Sequence, residues 1–349
     1  MQSTALQYFL GANSSYGFYS LYDGFCCGKN DFLHIIKGGP GTGKSTFMRR
    51  IGREAEERGM DVEYILCSGD PDSLDGVYIP ALGMGWVDGT APHALEPRTF
   101  GVSACYEDLG KFCSYPLLQG SADEILAIQQ QYKRHYDHAY AYLKSAGTIF
   151  SHSHAFLSPK EETKLCKRAQ SKITRELHGC ETSGACITRF LRAFTCKGCT
   201  FSAHTINTLC KRICVLESEH LLENMFLQEI LREIKKRSVP CIVAPNPLCP
   251  EIIEAIILPT EGLGFFAAYA LPPFNGPLRT IHLDSYLPNS HRKTQKQKQQ
   301  ILNHLMQCAY AELDTAKALH DKLEHCYRPA LDTQALNQYT ESVIKNIFA

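Results

Sequence analysis

The chain has 349 residues, and its 36 Lys and Arg residues balance 36 Asp and Glu residues, so the formal net charge is zero. A balanced charge excludes a global electrostatic attraction to nucleic acid or to a membrane surface. The N-terminus lacks the basic and then apolar pattern of a signal peptide, and the apolar stretch around residues 263–271 is too short to span a bilayer. We therefore expect a cytoplasmic protein without nucleic-acid or membrane partners.

The first informative segment combines a strand, a glycine-rich loop and a helix. Residues 32–36 form a short apolar run, which indicates a buried strand. Residues 38–46, Gly-Gly-Pro-Gly-Thr-Gly-Lys-Ser-Thr, fit the pattern G-x-x-x-x-G-K-[ST] of the phosphate-binding P-loop. Apolar residues then recur at helical spacing from Phe47 to Ala55. The motif therefore has the structural context that it requires.

The residue types in this loop suit phosphate chemistry. Glycines let the backbone fold around a phosphate and point its N–H groups inward, and the helix N-terminus adds partial positive charge. Lys44 is expected to contact the β- and γ-phosphates, and the Ser45 hydroxyl to bind Mg²⁺. ATP is the default nucleotide because the chain has no guanine-reading N-K-x-D motif. The predicted nucleotide-binding residues are Gly39, Gly41, Thr42, Gly43, Lys44, Ser45 and Thr46.

A carboxylate-rich loop follows the second predicted strand, residues 62–66. It contains Asp70, Asp72 and Asp75, at the carboxyl end of the sheet, where open α/β folds bind ligands. These carboxylates suit the positioning of a nucleophile or second substrate, and they suit ordinary turn and N-cap positions equally well. Both interpretations stay open.

The apolar residues 82–87 end in Asp88-Gly-Thr, which is typical of a strand that holds Mg²⁺ through a terminal carboxylate. We predict that Asp88 is a metal-binding residue and that Lys44 and Asp88 are the catalytic pair. No glutamate follows Asp88, so the water-activating Asp-Glu pair is absent. A kinase or a slow switch ATPase is therefore favoured over a fast motor. His93 suits either a γ-phosphate contact or an ordinary loop position.

Long amphipathic helices follow each predicted α/β core. The spacing of apolar residues predicts helices over 122–156 and 159–177, and again over 295–327 and 332–348. We expect each pair to form an antiparallel hairpin. The basic run at 291–298 has the character of a solvated helix face.

Cysteine is abundant, with 16 residues. Cys196-x-x-Cys199 lies among Cys180, Cys186, Cys210 and Cys214, but the other spacings are irregular for a zinc site. Reduced thiols are the favoured interpretation of this cluster at 180–214. The neighbouring histidines His135, His138, His152 and His154 are similarly interpreted as helix-surface residues.

The sequence repeats itself. Residues 138–146 match residues 308–316 at five of nine positions, and residues 76–86 parallel residues 255–265. The strand at 32–36 aligns with residues 212–216. Repeats of this length predict a tandem duplication of a whole α/β domain. The predicted units of copy one are an α/β core at 1–120 and a helical hairpin at 121–185. Those of copy two are a degenerate core at 186–290 and a second hairpin at 291–349.

Copy two lacks the phosphate chemistry. Opposite the P-loop it reads Ser-Glu-His-Leu-Leu-Glu-Asn-Met-Phe over 218–226, without a glycine. The alignment places Asn224 at the position of Lys44 and Met225 at that of Ser45, and the strand equivalent to 82–87 ends in Ala267. Glu219 and Glu223 would repel phosphate. We therefore predict a pseudo-NTPase domain.

Four segments together resemble a bacterial family of ATPase-like proteins with two tandem P-loop domains: residues 16–23, 37–46, 67–76 and 88–93. The resemblance spans nearly the whole chain, including residues 281–284. It implies cytosolic ATP binding and supplies no established substrate. The fold that we expect is α/β: two tandem P-loop NTPase-like three-layer α/β/α domains, each with an appended helical hairpin.

Two functions fit these features. The first is a Mg-ATP-binding ATPase or small-molecule kinase that transfers the γ-phosphoryl group to water or to an unknown acceptor. The second is a nucleotide-gated regulatory or binding protein with negligible turnover and a protein partner. The absence of an assignable arginine finger favours the second function. The sequence leaves the acceptor and the oligomeric state undetermined.

Overall fold

The fold is described from a computed structural model that covers residues 3–91, 95–152, 157–177, 184–284 and 292–349. It is a mixed α/β fold with two six-stranded sheets, one from each half of the chain. The helices within the described residues are α1 (Lys44–Glu57), α2 (Tyr115–Gly120), α3 (Ala122–Ser151), α4 (Pro159–Glu176), α5 (Ala203–Leu209), α6 (Leu222–Lys236), α7 (Arg292–Tyr327) and α8 (Thr333–Ile347). None of the helices in these ranges is long and apolar enough to cross a membrane.

The first half supplies a sheet and a hairpin. Its strands are β1 (Ala5–Tyr8), β2 (Gly11–Ser14), β3 (Gly17–Ser20), β4 (Phe32–Lys37), β5 (Val62–Leu66), β6 (Leu74–Ile79), β7 (Met84–Asp88) and β8 (Ala104–Asp108). The sheet order is β1-β5-β6-β7-β4-β8, and β2 and β3 form a separate hairpin. β6 runs antiparallel to both of its neighbours, whereas the other strand pairs of the sheet are parallel.

The second half repeats this topology. Its strands are β9 (Cys186–Thr188), β10 (Arg192–Thr195), β11 (Gly198–Phe201), β12 (Arg212–Glu217), β13 (Cys241–Pro245), β14 (Ile253–Leu258), β15 (Leu263–Ala267) and β16 (Leu278–His282). The sheet order is β9-β13-β14-β15-β12-β16, and β10 pairs with β11. β14 is antiparallel to both neighbours, as β6 is. Each strand of the second sheet therefore has a counterpart at the same place in the first.

Successive side chains of a strand point to opposite faces of its sheet, so each sheet contributes to two apolar cores. One face of the first sheet, with Ile36 and Trp86, packs under α1, and one face of the second, with Leu216 and Phe265, packs under α6. The other faces meet in one common core, where Ile35 of β4 belongs to the same apolar cluster as residues of β12 to β15. The expected α/β fold is therefore confirmed, but the expectation that each half forms a separate three-layer α/β/α domain is wrong. Each sheet has a helical layer on one face, and its other face lies in a core shared by both halves, to which α5 contributes Ile206.

The helical hairpins predicted from the sequence are also wrong. Apolar residues of α4, such as Leu165 and Ile173, pack against α6 of copy two. Conversely, Leu336 and Ile344 of α8 pack against the apolar core between α1 and the first sheet, in copy one. The apolar pattern of an amphipathic helix specifies its buried face but not its partner. The two halves thus exchange their last helices.

The long helices α3 and α7 pack against each other in antiparallel orientation. Ile125 near the start of α3 clusters with Leu323 near the end of α7, and Ala146 clusters with Met306 at the opposite end. Between these clusters, Nδ1 of His135 lies 2.6 Å from a carboxylate oxygen of Glu312. The α3–α7 pair extends from the glycine-rich loop at 38–46 in copy one to the corresponding loop before α6 in copy two.

Candidate functional site

The glycine-rich segment 38–46, which the sequence predicts to be a P-loop and which keeps that name below, joins β4 to the first turn of α1. Two of its glycines, Gly41 and Gly43, have φ angles of 68° and 83°, a left-handed conformation that favours glycine. Thr42 is buried, and its hydroxyl donates to the Gly39 carbonyl at 2.8 Å, which closes the loop on itself. Thr46 is exposed on the first turn of α1. The local sequence therefore produces a tight, glycine-dependent turn into the helix.

Lys44 folds back over this loop. Its Nζ donates to the carbonyls of Gly38 and Gly39, at 2.8 and 2.9 Å, and lies 3.6 Å from Oδ2 of Asp88. The two charged side chains are only 11% and 15% exposed, so their interaction is screened less than a surface ion pair would be. The predicted catalytic pair is thus in direct electrostatic contact.

Asp88 and Ser45 are both held by backbone donors. Asp88 ends β7, in register with Ile36 of the neighbouring β4, and its Oδ1 accepts hydrogen bonds from the backbone N–H and the hydroxyl of Thr90. The Ser45 hydroxyl oxygen accepts from the backbone N–H of Leu74 at 2.9 Å. These bonds orient both predicted metal-binding residues, while Oδ2 of Asp88 faces Lys44.

The chemistry of this loop fits a bound phosphate. The first four N–H groups of an α-helix lack partners within the helix, and α1 has no side chain that caps them. Its N-cap is Gly43, and Lys44 adds the one cationic side chain of the loop itself. Unpaired N–H groups, glycine backbone and a lysine ammonium are the donors that a phosphate group requires.

The P-loop is covered by helices of copy two. A Cβ atom added to Gly39 would lie 2.5 Å from the ring of Tyr327, and one added to Gly41 would lie 3.2 Å from Cβ of Glu324, both at the end of α7. A Cβ on Gly43 would lie 2.8 Å from Leu336 of α8. The glycines therefore allow α7 and α8 to approach the loop closely, in addition to shaping it.

α7 also brings titratable groups toward the loop. Burial, together with the positive charges of Lys317 and Lys44, lowers the pKa of His320, although its neighbour Glu324 opposes this shift. Lys317 pairs with Asp321 on its own helix and, at 3.3 Å, with Asp70 of copy one. Sequence reasoning missed these residues because they lie some 270 positions after the motif and belong to no motif themselves.

The carboxylates of the loop between β5 and β6 have separate partners. Asp70 pairs with Lys317, and Asp72 pairs with Lys197 at the β10–β11 turn. Asp75 is buried and accepts a hydrogen bond from the Tyr22 hydroxyl at 3.2 Å. Two of the three therefore contact copy two. The other predicted contact of this region, His93, lies outside the described residues.

Copy two has a different register from the one that the sequence alignment predicts. The buried residues Phe47, Met48, Ile51 and Ala55 of α1 correspond to Phe226, Leu227, Ile230 and Ile234 of α6, a difference of 179 positions. The strands before them, Phe32–Lys37 and Arg212–Glu217, differ by 180. The intervening loop is therefore one residue shorter in copy two.

This shorter loop changes which residue replaces Lys44. With a difference of 179 positions, Glu223 and not Asn224 is the counterpart of Lys44, and Asn224 is the counterpart of Ser45. Asn224 accepts from the backbone N–H of Ile253 at 3.0 Å, as Ser45 accepts from that of Leu74. The expected correspondences of Asn224 with Lys44 and of Met225 with Ser45 are wrong by one residue.

Two clusters of described residues have metal-ligand spacing: one combines His135, His138 and Glu312, and the other His320, Asp321 and Glu324. The first joins α3 to α7, and neither contains a cysteine. Cys196 and Cys199 lie at the β10–β11 hairpin, and Cys199 accepts from Arg192. Cys180 and His154 are outside the described residues.

Comparisons of this chain with family models, curated proteins and solved structures find no match. The resemblance to tandem ATPase-like proteins therefore stays a prediction from the quoted segments.

Proposed function

We propose that copy one binds Mg-ATP and acts as a P-loop NTPase, either an ATPase or a small-molecule phosphotransferase. The observation that carries this proposal is the position of Lys44, at the uncapped N-terminus of α1, with its Nζ 2.8 Å from the Gly38 carbonyl and 3.6 Å from Asp88. A cation, a helix N-terminus and a carboxylate at the end of the adjacent strand are the three parts that Mg-nucleotide binding needs.

Each residue of the site has a role in this proposal. Lys44 exchanges its two carbonyl partners for the β- and γ-phosphates, and the loop N–H groups from Gly41 to Thr46 hold phosphate oxygens. One lone pair of the Ser45 hydroxyl oxygen accepts from the backbone N–H of Leu74. The second lone pair stays available, and Ser45 would use it to bind Mg²⁺ together with Asp88. Bound Mg²⁺ neutralises the charge of the transferred phosphoryl group.

A second candidate function is a nucleotide-gated regulatory protein. The close approach of Tyr327 and Glu324 to the loop glycines favours it, because phosphate and the end of α7 compete for space beside the same backbone. α7 is paired with α3 along its length, so a displacement at one end is transmitted toward copy two. In this function, nucleotide binding changes the position of the α3–α7 pair without rapid turnover.

The experiment measures Mg-ATP binding and phosphate release by the wild type, by Lys44→Ala and by Lys164→Ala. Lys164 is an exposed lysine of α4, which packs against α6 of copy two, so its variant controls for the loss of a positive charge. Release that Lys44→Ala abolishes supports the enzyme. Binding that depends on Lys44 without release, with nucleotide-dependent protease cleavage in α7, supports the gate. Equal binding by all three proteins contradicts both functions.

A further inference from the structure

A large cavity lies in copy two at the place that corresponds to the P-loop site. Its volume is about 1430 Å³. It is bounded by the loop before α6, the β10–β11 hairpin, the turn after β15, the end of α3 and the start of α7. The loop before α6 and the turn after β15 correspond to the loop that carries Lys44 and to the turn that begins at Asp88. Copy two therefore has a concave site where copy one has the glycine-rich loop.

The cavity contains a buried carboxylate that lacks a full set of partners. Glu223 lines it and is 1% exposed. Its Oε1 accepts from the backbone N–H of Ser218 at 3.0 Å, but its Oε2 is buried with no hydrogen-bond partner among the described residues. A buried, unsatisfied carboxylate oxygen costs free energy, so its presence beside a cavity indicates a missing cationic or hydrogen-bonding group.

The charges around Glu223 favour a cation. Arg192 is the buried cation of the cavity, and Glu254 already neutralises it with two hydrogen bonds at 2.9 and 2.7 Å. Glu217 and Glu219 line the cavity on the Glu223 side, and Asp284 lies close to them, where it accepts from Ser218 and Glu219. The lysines of the lining belong to other elements, the β10–β11 hairpin and α7: Lys197, Lys296 and Lys298.

The remaining wall is aromatic and apolar. Tyr269 and Phe150 meet edge to face at the end of α3, and Phe194 contacts Tyr310 across the hairpin and α7. Leu302 and Met306 complete this wall. Such a surface binds the hydrocarbon part of a ligand, and aromatic faces also attract a cationic group.

We propose that this cavity binds an organic ammonium ion, with the charged nitrogen at Glu223 and a hydrocarbon body against the aromatic wall. Copy two is then a binding domain of opposite polarity to copy one, with a carboxylate where copy one has Lys44. The inference is independent of nucleotide binding at the P-loop.

The ionisation of Glu223 gives the proposal a characteristic pH dependence. Burial, and then the negative charges of Asp284 and Glu217, raises the pKa of Glu223 to about 8, and the neighbouring backbone N–H groups oppose this. Tyr269 faces it as a neutral phenol, because burial first and then Glu254 and Glu223 raise its pKa. An ammonium ion must therefore displace a proton from Glu223 below pH 8, so its affinity falls about tenfold per pH unit there.

The test uses the full chain and calorimetric titration with 2-phenylethylammonium, and with hexylammonium as a second probe. The uncharged 2-phenylethanol and the anionic 3-phenylpropionate are the ligand controls. We expect the ammonium ions to bind at least about tenfold more tightly than the alcohol at pH 8, and Glu223→Gln to remove that preference. Glu57→Gln, which removes an exposed carboxylate on α1 of copy one, and Lys44→Ala should leave binding unchanged.

Titrations near pH 6.5 in two buffers of different ionisation enthalpy should show the release of about one proton on binding, which Glu223→Gln abolishes. The proposal is overturned by equal affinity for the alcohol, by preference for 3-phenylpropionate, by unchanged binding in Glu223→Gln, or by no binding of either ammonium ion at millimolar concentration.

Discussion

Lys44 and Glu223 occupy the same position in the two halves of the chain. Both side chains hydrogen-bond to the backbone of the residue that follows the preceding strand, one as a cationic donor and the other as a carboxyl acceptor. Nζ of Lys44 donates to the carbonyl of Gly38, the first residue after β4, at 2.8 Å. Oε1 of Glu223 accepts from the N–H of Ser218, the first residue after β12, at 3.0 Å. Each side chain thus ties the start of its helix to the end of the preceding strand. Both halves have this tie, whereas phosphate binding needs a positive charge, which Lys44 carries and Glu223 does not.

The adjacent residues, Ser45 and Asn224, provide a matched test of the proposed metal site. Each accepts a hydrogen bond from the first residue of the following antiparallel strand, so Ser45→Ala and Asn224→Ala should each lower the free energy of unfolding by about 1 kcal/mol. Only Ser45→Ala should weaken nucleotide binding, and only when Mg²⁺ is present. Urea unfolding and nucleotide titrations with and without Mg²⁺ measure the two effects.

Ser45→Thr is the conservative control, because it keeps the hydroxyl group that binds the cation. A loss of Mg²⁺-dependent binding in Asn224→Ala equal to that in Ser45→Ala would show that general destabilisation, and not metal binding, causes the effect.

The contact between Gly39 and Tyr327 predicts a compensating pair of substitutions. A methyl group on Gly39 would lie 2.5 Å from the Tyr327 ring, so Gly39→Ala should displace the end of α7 and lower stability by about 1–3 kcal/mol. Adding Tyr327→Ala removes the obstacle, so the double variant should be less destabilised than the sum of the single changes. Thermal unfolding and limited proteolysis of α7 provide the measurements.

Gly120→Ala is a suitable control, since a Cβ atom there would meet nothing within 4 Å. Strict additivity of Gly39→Ala and Tyr327→Ala would contradict the close approach of α7 to the loop.

The sequence predicts the local parts of this structure well. The strand at 62–66 and the strand–loop–helix unit around Lys44 follow from periodicity and turn residues, which depend on near neighbours. The register of Ile36 with Asp88, which brings Asp88 to Lys44, agrees with the prediction of a strand ending at that carboxylate. Short-range patterns were therefore sufficient for the residues that the P-loop and its adjacent strand contribute.

The long-range parts could not be predicted in the same way. Nothing in the pattern of α7 or α8 shows that Tyr327 and Leu336 pack on a loop of copy one, because an apolar face fits any complementary surface. The one-residue shortening of the copy-two loop was hidden for a related reason. Glu223 and Asn224 are adjacent polar residues, and only the buried face of α6 fixes which of them replaces Lys44.

Glu223 predicts an unusual dependence of stability on pH. Its pKa is about 8 in the folded protein, where burial raises it, and the ordinary value is 4.5. The folded state therefore holds the proton more tightly than the unfolded state, and ionisation opposes folding. The contribution of protonated Glu223 to the free energy of unfolding is fully present below pH 4.5. As the pH rises to 8, the free energy of unfolding falls by an amount on the order of 4 kcal/mol.

Glu223→Gln should remove this loss, since the amide stays neutral. We expect the variant to be more stable than the wild type at pH 8 and nearly equal to it at pH 4, as measured by denaturant unfolding at both values. Glu219→Gln serves as the control because Glu219 is exposed, and it should change stability little at either pH. A wild type that is more stable than Glu223→Gln at pH 8 would refute the buried, unpaired carboxylate.

The ion pair between Arg192 and Glu254 predicts a strong asymmetry between single and double substitutions. The two side chains are 9% and 1% exposed and share two hydrogen bonds, so Arg192→Met leaves a buried carboxylate without its cation. That change should cost about 3–5 kcal/mol, whereas adding Glu254→Met should recover much of the loss, because a buried pair contributes little beyond the desolvation of its two charges.

The exposed pair of Lys197 and Asp72 is the control for this comparison. Its side chains are 54% and 73% exposed, so Lys197→Met should cost no more than about 1 kcal/mol. Denaturant unfolding of the wild type and of these three variants distinguishes the cases. If Arg192→Met and Lys197→Met lower the free energy of unfolding by the same amount, water in the cavity of copy two solvates Glu254. If the double substitution costs as much as Arg192→Met, then Arg192 stabilises copy two through its contacts with the rings of Phe194 and Tyr269 and not through its charge on Glu254.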